Sequence, residues 1–143
     1  MDRLVVTFAK QKLPDKHDDD AGPHRGFVDT FNLAGGDRRR FASGGPLNSP
    51  WGVALAPPSF GKFGGALLIG NFGDGAINAY DPEEGEFLGN VRKPSGQPIV
   101  IEGLWALKFG NDGNGGSSQT LYFTAGPNHE ADGLFGALSP VVP

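Results

Sequence analysis

Three histidines and a dense set of carboxylates fall in two polar segments, KQKLPDKHDDDAGPHR (residues 10–25) and GPNHEAD (residues 126–132). From such side chains a divalent-metal or polar-ligand site is built. Carboxylate and amide oxygens suit a hard cation such as calcium, and histidine admits zinc or manganese. The first segment supplies His17, Asp18 and Asp19 beside Asp15, Asp20 and His24; the second supplies His129, Glu130 and Asp132. Asn48 and Glu102 add one oxygen ligand each, at matching places three residues before a tryptophan. The competing reading of the same residues is a solvated acidic loop, with Asn48 capping a turn before Pro50.

Other chemistries find less to work with. The serines lie in turn-like surroundings, and the sequence has no P-loop, nucleophile elbow or HExxH, so no catalytic residue is assigned. NDGNGG (residues 111–116) lacks the alternating acidic ligands and closing glutamate of an EF-hand and reads as a glycine-rich turn. Trp51 and Trp105 would stack on a sugar if exposed, but as matching strand residues they are expected to pack.

Composition narrows the partners. The 143 residues carry a net charge of −4, and the one basic run, Arg38–Arg40, follows Asp37 and reads as a solvated edge, so no electrostatic footprint for nucleic acid exists. With no cysteine, disulfides and thiolate metal sites are excluded. No segment approaches the ~18 apolar residues of a membrane helix, and the chain as it stands carries no signal peptide.

The elements that must position these residues form a repeat. NSPWGVALAP from Asn48 matches EGLWALKFG from Glu102, and ALLIGNF from Ala66 matches TLYFTAG from Thr120, both offset by 54 residues (Trp51 to Trp105). DGAINAYDP from Asp74 matches DGLFGALSP from Asp132 at an offset of 58. Apolar runs of four to six residues cut by Gly, Pro or Asn predict strands. The period fits a propeller blade of four antiparallel strands, A to D from the axis outward. The expected fold is all-β, a partial β-propeller of about 2.5 to 3 four-stranded antiparallel blades in one domain spanning residues 1–143. Strands B to D occupy about 1–45, a full blade about 46–97, and strands A to C about 98–143. ALLIG and TLYFTA read as strands buried on both faces.

GFVDTFNLAG, ASGGPLNSPWGVALAP, GALLIGNFGDGAINAYDP and QTLYFTAGPNHEADGLFGAL together resemble the C-terminal part of an uncharacterised family of secreted bacterial proteins with NHL-like propeller architecture, some ending in a surface-sorting tail. The resemblance implies roughly six blades and a location outside the cytoplasm. It implies no activity. Members of that family are more than twice this length, so the chain reads as a fragment or short form whose open blade edges are covered by self-association into a homo-oligomer.

Three functional expectations follow. The first is a non-enzymatic module for binding a ligand, such as a small molecule or carbohydrate, or a partner, or for assembly. The second is a calcium-dependent, lactonase-like hydrolase with an axial site built from Asn48, Glu102 and the loop residues His129 or Asp132. The third is a fragment without independent function.

Overall fold

The computed structural model describes residues 1–141, and the ten segments read as strands are all strands in it. β1 (Leu4–Phe8), β2 (Phe27–Phe31) and β3 (Arg39–Ser43) form an antiparallel sheet in that order. β4 (Pro50–Leu55), β5 (Leu67–Asn71), β6 (Ile77–Tyr80) and β7 (Phe87–Asn90) form a second. β8 (Leu104–Phe109), β9 (Leu121–Ala125) and β10 (Leu134–Leu138) form a third. The chain is therefore all-β, in antiparallel sheets of three, four and three strands. One 3-10 turn at Gly61–Phe63 sits between β4 and β5. No helix among the described residues is long and apolar enough to cross a membrane.

The sequence repeat has a backbone counterpart. β4 pairs with β5 through Pro50–Asn71 and Val53–Ile69, and β8 pairs with β9 through Leu104–Ala125 and Leu107–Phe123. Both ladders shift register across the intervening residues, Trp51–Gly52 in one and Trp105–Ala106 in the other. A bulge bends its strand and re-aims a side chain, so the recurring tryptophan marks a recurring bend.

Two apolar cores hold the sheets face to face. Side chains alternate across a strand, so β5 sends Leu67 and Ile69 to one core and Leu68 to the other. In the first core they join Val53 and Tyr80 and meet Val5, Val28 and Ala42 of the first sheet around Leu47. In the second, Leu68, Ile77 and Ala79 meet Leu104, Leu107, Leu121 and Phe123 of the third sheet, with Phe60 and Phe63. Every residue of β5 and β6 is buried. Each fully buried Leu or Ile contributes about 1.5–3 kcal/mol.

β9 departs from the expectation of burial on both faces. Leu121, Phe123 and Ala125 are buried, whereas Tyr122 and Thr124 are only half-buried, because no further sheet lies on that side. Trp51 departs too: it is 55% exposed rather than packed, since the first sheet has no strand inside β1 to cover it.

The second and third sheets diverge. β4 and β8 run in direct backbone contact, and a Cβ on Gly52 would come 2.5 Å from the Trp105 carbonyl and 2.8 Å from the Leu107 nitrogen. Farther out the same sheets part around a cleft lined by Phe60, Phe63, Val91, Ile99 and Leu138.

Two outcomes are expected. Gly52→Ala forces a methyl into that backbone contact and lowers stability by about 1–3 kcal/mol in urea unfolding. Tyr80 packs between Phe41 and Phe87, and its buried hydroxyl has no partner among the described residues. Burial pushes its phenol from 10.0 up to about 12. The folded chain thus prefers the neutral phenol, and this contribution is complete below pH 10 and is lost as pH rises toward about 12. Tyr80→Phe leaves neutral-pH stability within about 1 kcal/mol of the parent and makes the alkaline decline shallower.

Candidate functional site

The loops carrying the candidate residues are held by a chain of buried amides that starts in β7. Asn90 donates through Nδ2 to Asn78 Oδ1 (2.7 Å), and Asn78 Nδ2 reaches the Pro46 carbonyl at 3.4 Å. Asn71 Nδ2 donates to the same carbonyl (2.8 Å) and to Asp74 Oδ1 (3.0 Å), while Asn71 Oδ1 accepts the Asn48 amide (3.1 Å). Asn48 Oδ1 in turn accepts the Gly22 amide at 2.8 Å. The second sheet is thereby tied to the β3–β4 connection and to the β1–β2 loop. Asparagine is disfavoured in strands, so its presence at Asn71, Asn78 and Asn90 inside apolar runs was the available sign of a buried polar network.

Asn48 and Glu102 each make a structural tie. Asn48 is buried with its oxygen on Gly22, and Glu102 Oε1 accepts the Asn128 amide at 3.0 Å, fixing the β9–β10 loop. Within that loop Asp132 Oδ2 lies 3.4 Å from Asn128 Nδ2, and His129 is exposed with φ 54°. Glu130 accepts the Trp105 indole N–H at 2.9 Å, which holds that tryptophan over Gly126. In the β1–β2 loop His17 and Asp18 are exposed. Asp20 pairs with Lys10 (2.7 Å) and Arg25 (2.6 Å), whose donors hold its carboxyl below the usual carboxylate range, Lys10 foremost. Among the described residues no group of three His, Asp or Glu side chains is placed to hold a metal ion. NDGNGG is a turn, with Asn111 Oδ1 accepting the Gly113 and Gly115 amides.

Asp19 stands apart from these spent residues. It is half-buried, and its Oδ2 has no hydrogen-bond partner among the described residues; neither has the hydroxyl of fully buried Ser49. Burial pushes the Asp19 carboxyl above its ordinary range. The neighbouring Ser49 hydroxyl works the other way, and the charges of Asp18 and Glu130 add to the rise. The Glu130 charge thus reaches Asp19 from the β9–β10 loop. Asp19 also lines a groove of ≈ 800 Å³ with Thr7, Phe8, Gln11, Phe27 and Trp51. In the sequence Ser49, between Asn and Pro, reads only as a turn serine.

No protein-family model matches the chain, and no solved structure does. Three uncharacterized proteins of Acanthamoeba polyphaga mimivirus are similar to it. One is 40% identical over 116 residues, 81% of this chain and 30% of the relative. Another is 40% identical over 114 residues, 79% of this chain and 27% of the relative. The third is 32% identical over 133 residues, 93% of this chain and 24% of the relative. The chain thus spans less than a third of the length of the curated relatives it matches. These relatives are viral, which corrects the resemblance to a secreted bacterial family. A location outside the cytoplasm rested on that resemblance and loses its support.

Asn71→Ala is expected to strip partners from the Pro46 carbonyl and the Asn48 amide and to cost about 2–3 kcal/mol in urea unfolding. Asp18→Ala, at an exposed site, changes stability by no more than about 0.5 kcal/mol.

Proposed function

We propose that the chain is a non-catalytic binding and assembly module, a run of about 2.5 to 3 consecutive blades of a β-propeller-type ring whose end faces are covered by further copies of the chain. The observation that carries this reading is the fan of stacked sheets, in backbone contact at the inner strands β4 and β8 and parted farther out. Blades arranged about an axis have that geometry, whereas a two-layered sandwich has no middle sheet buried on both faces.

The repeat identifies what each end face lacks. Leu4, Val6 and Phe8 of β1 correspond to Leu67, Ile69 and Asn71 of β5, on the side of β5 that the first sheet covers. In the first sheet that side is open, and Leu4, Val6, Phe8 and Phe27 are exposed there. At the other end, Tyr122 and Phe135 correspond to Leu68 and Ile77, which the third sheet covers. Here they form an uncovered stacked pair with centroids 5.8 Å apart, and Phe135 is 70% exposed. The two end faces are therefore the two halves of the contact that already holds the sheets together, and copies joining head to tail bury both. The mimivirus relatives, most of whose length lies outside the match, have room for further sheets in one chain.

Such a contact is heterologous, which gives it a test. Light scattering at micromolar concentration is expected to show an oligomer for the parent chain. Val6→Glu and Phe135→Glu each block one face and give smaller species. Mixing the two variants joins the intact face of each and yields a dimer, which a contact between like faces does not do. A stable, folded monomer of the parent chain overturns the proposal.

A further inference from the structure

The β8–β9 connection carries two residues whose side chains can react with their own backbone, and a single oxygen that engages both nucleophiles. Residues 111–115 read Asn-Asp-Gly-Asn-Gly, and Asn114–Gly115 is the one Asn–Gly pair in the sequence. The backbone nitrogen that follows an asparagine or aspartate can attack that residue's side-chain carbonyl carbon and close a five-membered imide. A following glycine, with no Cβ, leaves the approach open. Asp112–Gly113 and Asn114–Gly115 are two such pairs in succession, and all four residues are exposed.

The structure sets one acceptor on both nitrogens. Asn111 Oδ1 accepts the Gly113 amide and the Gly115 amide, each at 3.0 Å. Attack requires the nitrogen to release its proton and turn toward the side chain, and an N–H directed at Asn111 does neither. The turn keeps this arrangement in place: the Gly116 amide donates to the Gly113 carbonyl (3.1 Å), and the Asn111 and Asp112 amides donate to the Gly116 carbonyl (3.0 and 2.8 Å). Asp112 is withdrawn from the reaction a second time. Ser118 donates to both of its oxygens, through its amide (2.8 Å) and its hydroxyl (2.7 Å), and these donors hold the carboxyl below the usual carboxylate range. An ionised carboxylate is a poor electrophile. For Asn114, a neutral carboxamide at an exposed position, the tie of the Gly115 amide to Asn111 is the brake.

We infer that Asn114 is a latent deamidation site and that Asn111 is the positioning residue that keeps it closed. Once freed, the Gly115 nitrogen bonds to Asn114 Cγ and gives its proton to solvent, while the carboxamide nitrogen leaves as ammonia. Water then opens the imide at either carbonyl, giving aspartate or isoaspartate. Both products add a negative charge. Isoaspartate also adds a methylene to the main chain inside the turn closed by the Gly113–Gly116 bridge. The inference rests on contacts within this loop and on neither end face of the stack.

Incubating the whole chain at mildly alkaline pH, with peptide mass spectrometry and isoaspartate detection at Asn114, tests this. Deamidation is expected to be roughly tenfold slower in the folded parent than in the same chain unfolded in urea, and Asn111→Ala is expected to recover about that factor in the folded state. Asn111→Asp keeps the acceptor oxygen and stays slow. Ser118→Ala loosens the other tie of the loop, leaves Asn111 alone and stays as slow as the parent. Amide hydrogen exchange shows Gly113 and Gly115 protected in the parent and released in Asn111→Ala. Should Asn111→Ala fail to fold, the parent's exchange protection and its folded-to-unfolded rate ratio decide the matter. Equal rates in folded and unfolded parent, an Asn111→Ala rate no higher than the parent's, Asn111→Asp as fast as Asn111→Ala, or equal acceleration by Ser118→Ala overturns the assignment.

Discussion

The middle sheet is covered on both faces, and this burial governs the rest of the structure. Its apolar side chains serve two cores at once, so the same residues that join the first sheet to the second also fix the second against the third. Polar groups inside such a sheet have no water to turn to and must be satisfied by protein. The asparagines of β5, β6 and β7 meet this requirement by converging, directly or in relay, on the Pro46 carbonyl. Through Asn71 and Asn48 the same relay reaches the β1–β2 loop, so the placement of Asp19 depends on amides in a sheet it does not belong to.

The outward side of the first sheet solves a related problem with charge. Asp29 is only 4% exposed, and burial alone would oppose its ionisation. The guanidinium donors of Arg40 and Arg38 outweigh that effect and hold its carboxyl below the usual carboxylate range. Arg40 also lies 4.4 Å from the Phe27 ring. The basic run that reads as a solvated edge is thus an edge whose charges are partly spent, and it blunts β3 against strand pairing. β1 has no such protection: Leu4, Val6 and Phe8 are exposed on the open face of the sheet and alternate with half-buried neighbours.

What the sequence disclosed and what it concealed divide along physical lines. Strand positions were legible because glycine and proline cut the apolar runs sharply, and the offset between Trp51 and Trp105 survives as a shared register shift. Side-chain surroundings were not, because they depend on which neighbour is present. TLYFTA has the composition of a strand buried twice, yet β9 has only one covering sheet. Asn48 and Glu102 have the chemistry of ligands, and each also places a side-chain oxygen on a backbone amide, at Gly22 and at Asn128, which no spacing in the sequence discloses. Asp19 was visible only as one acid among several, and the absence of a partner for its oxygen is a fact of three dimensions.

Gly52 gives the stack its shape in a way that no side chain does. At Gly52 there is no room for a single carbon against the Trp105–Leu107 backbone, so β4 and β8 close there to the limit set by the backbone, while the aromatic side chains of Phe60 and Phe63 stand farther out. The taper between successive sheets is then anchored at the one position where a side chain is missing. A circle admits only as many such wedges as its taper allows, and the size of any closed assembly is accordingly written, at its narrow end, in one missing methyl group.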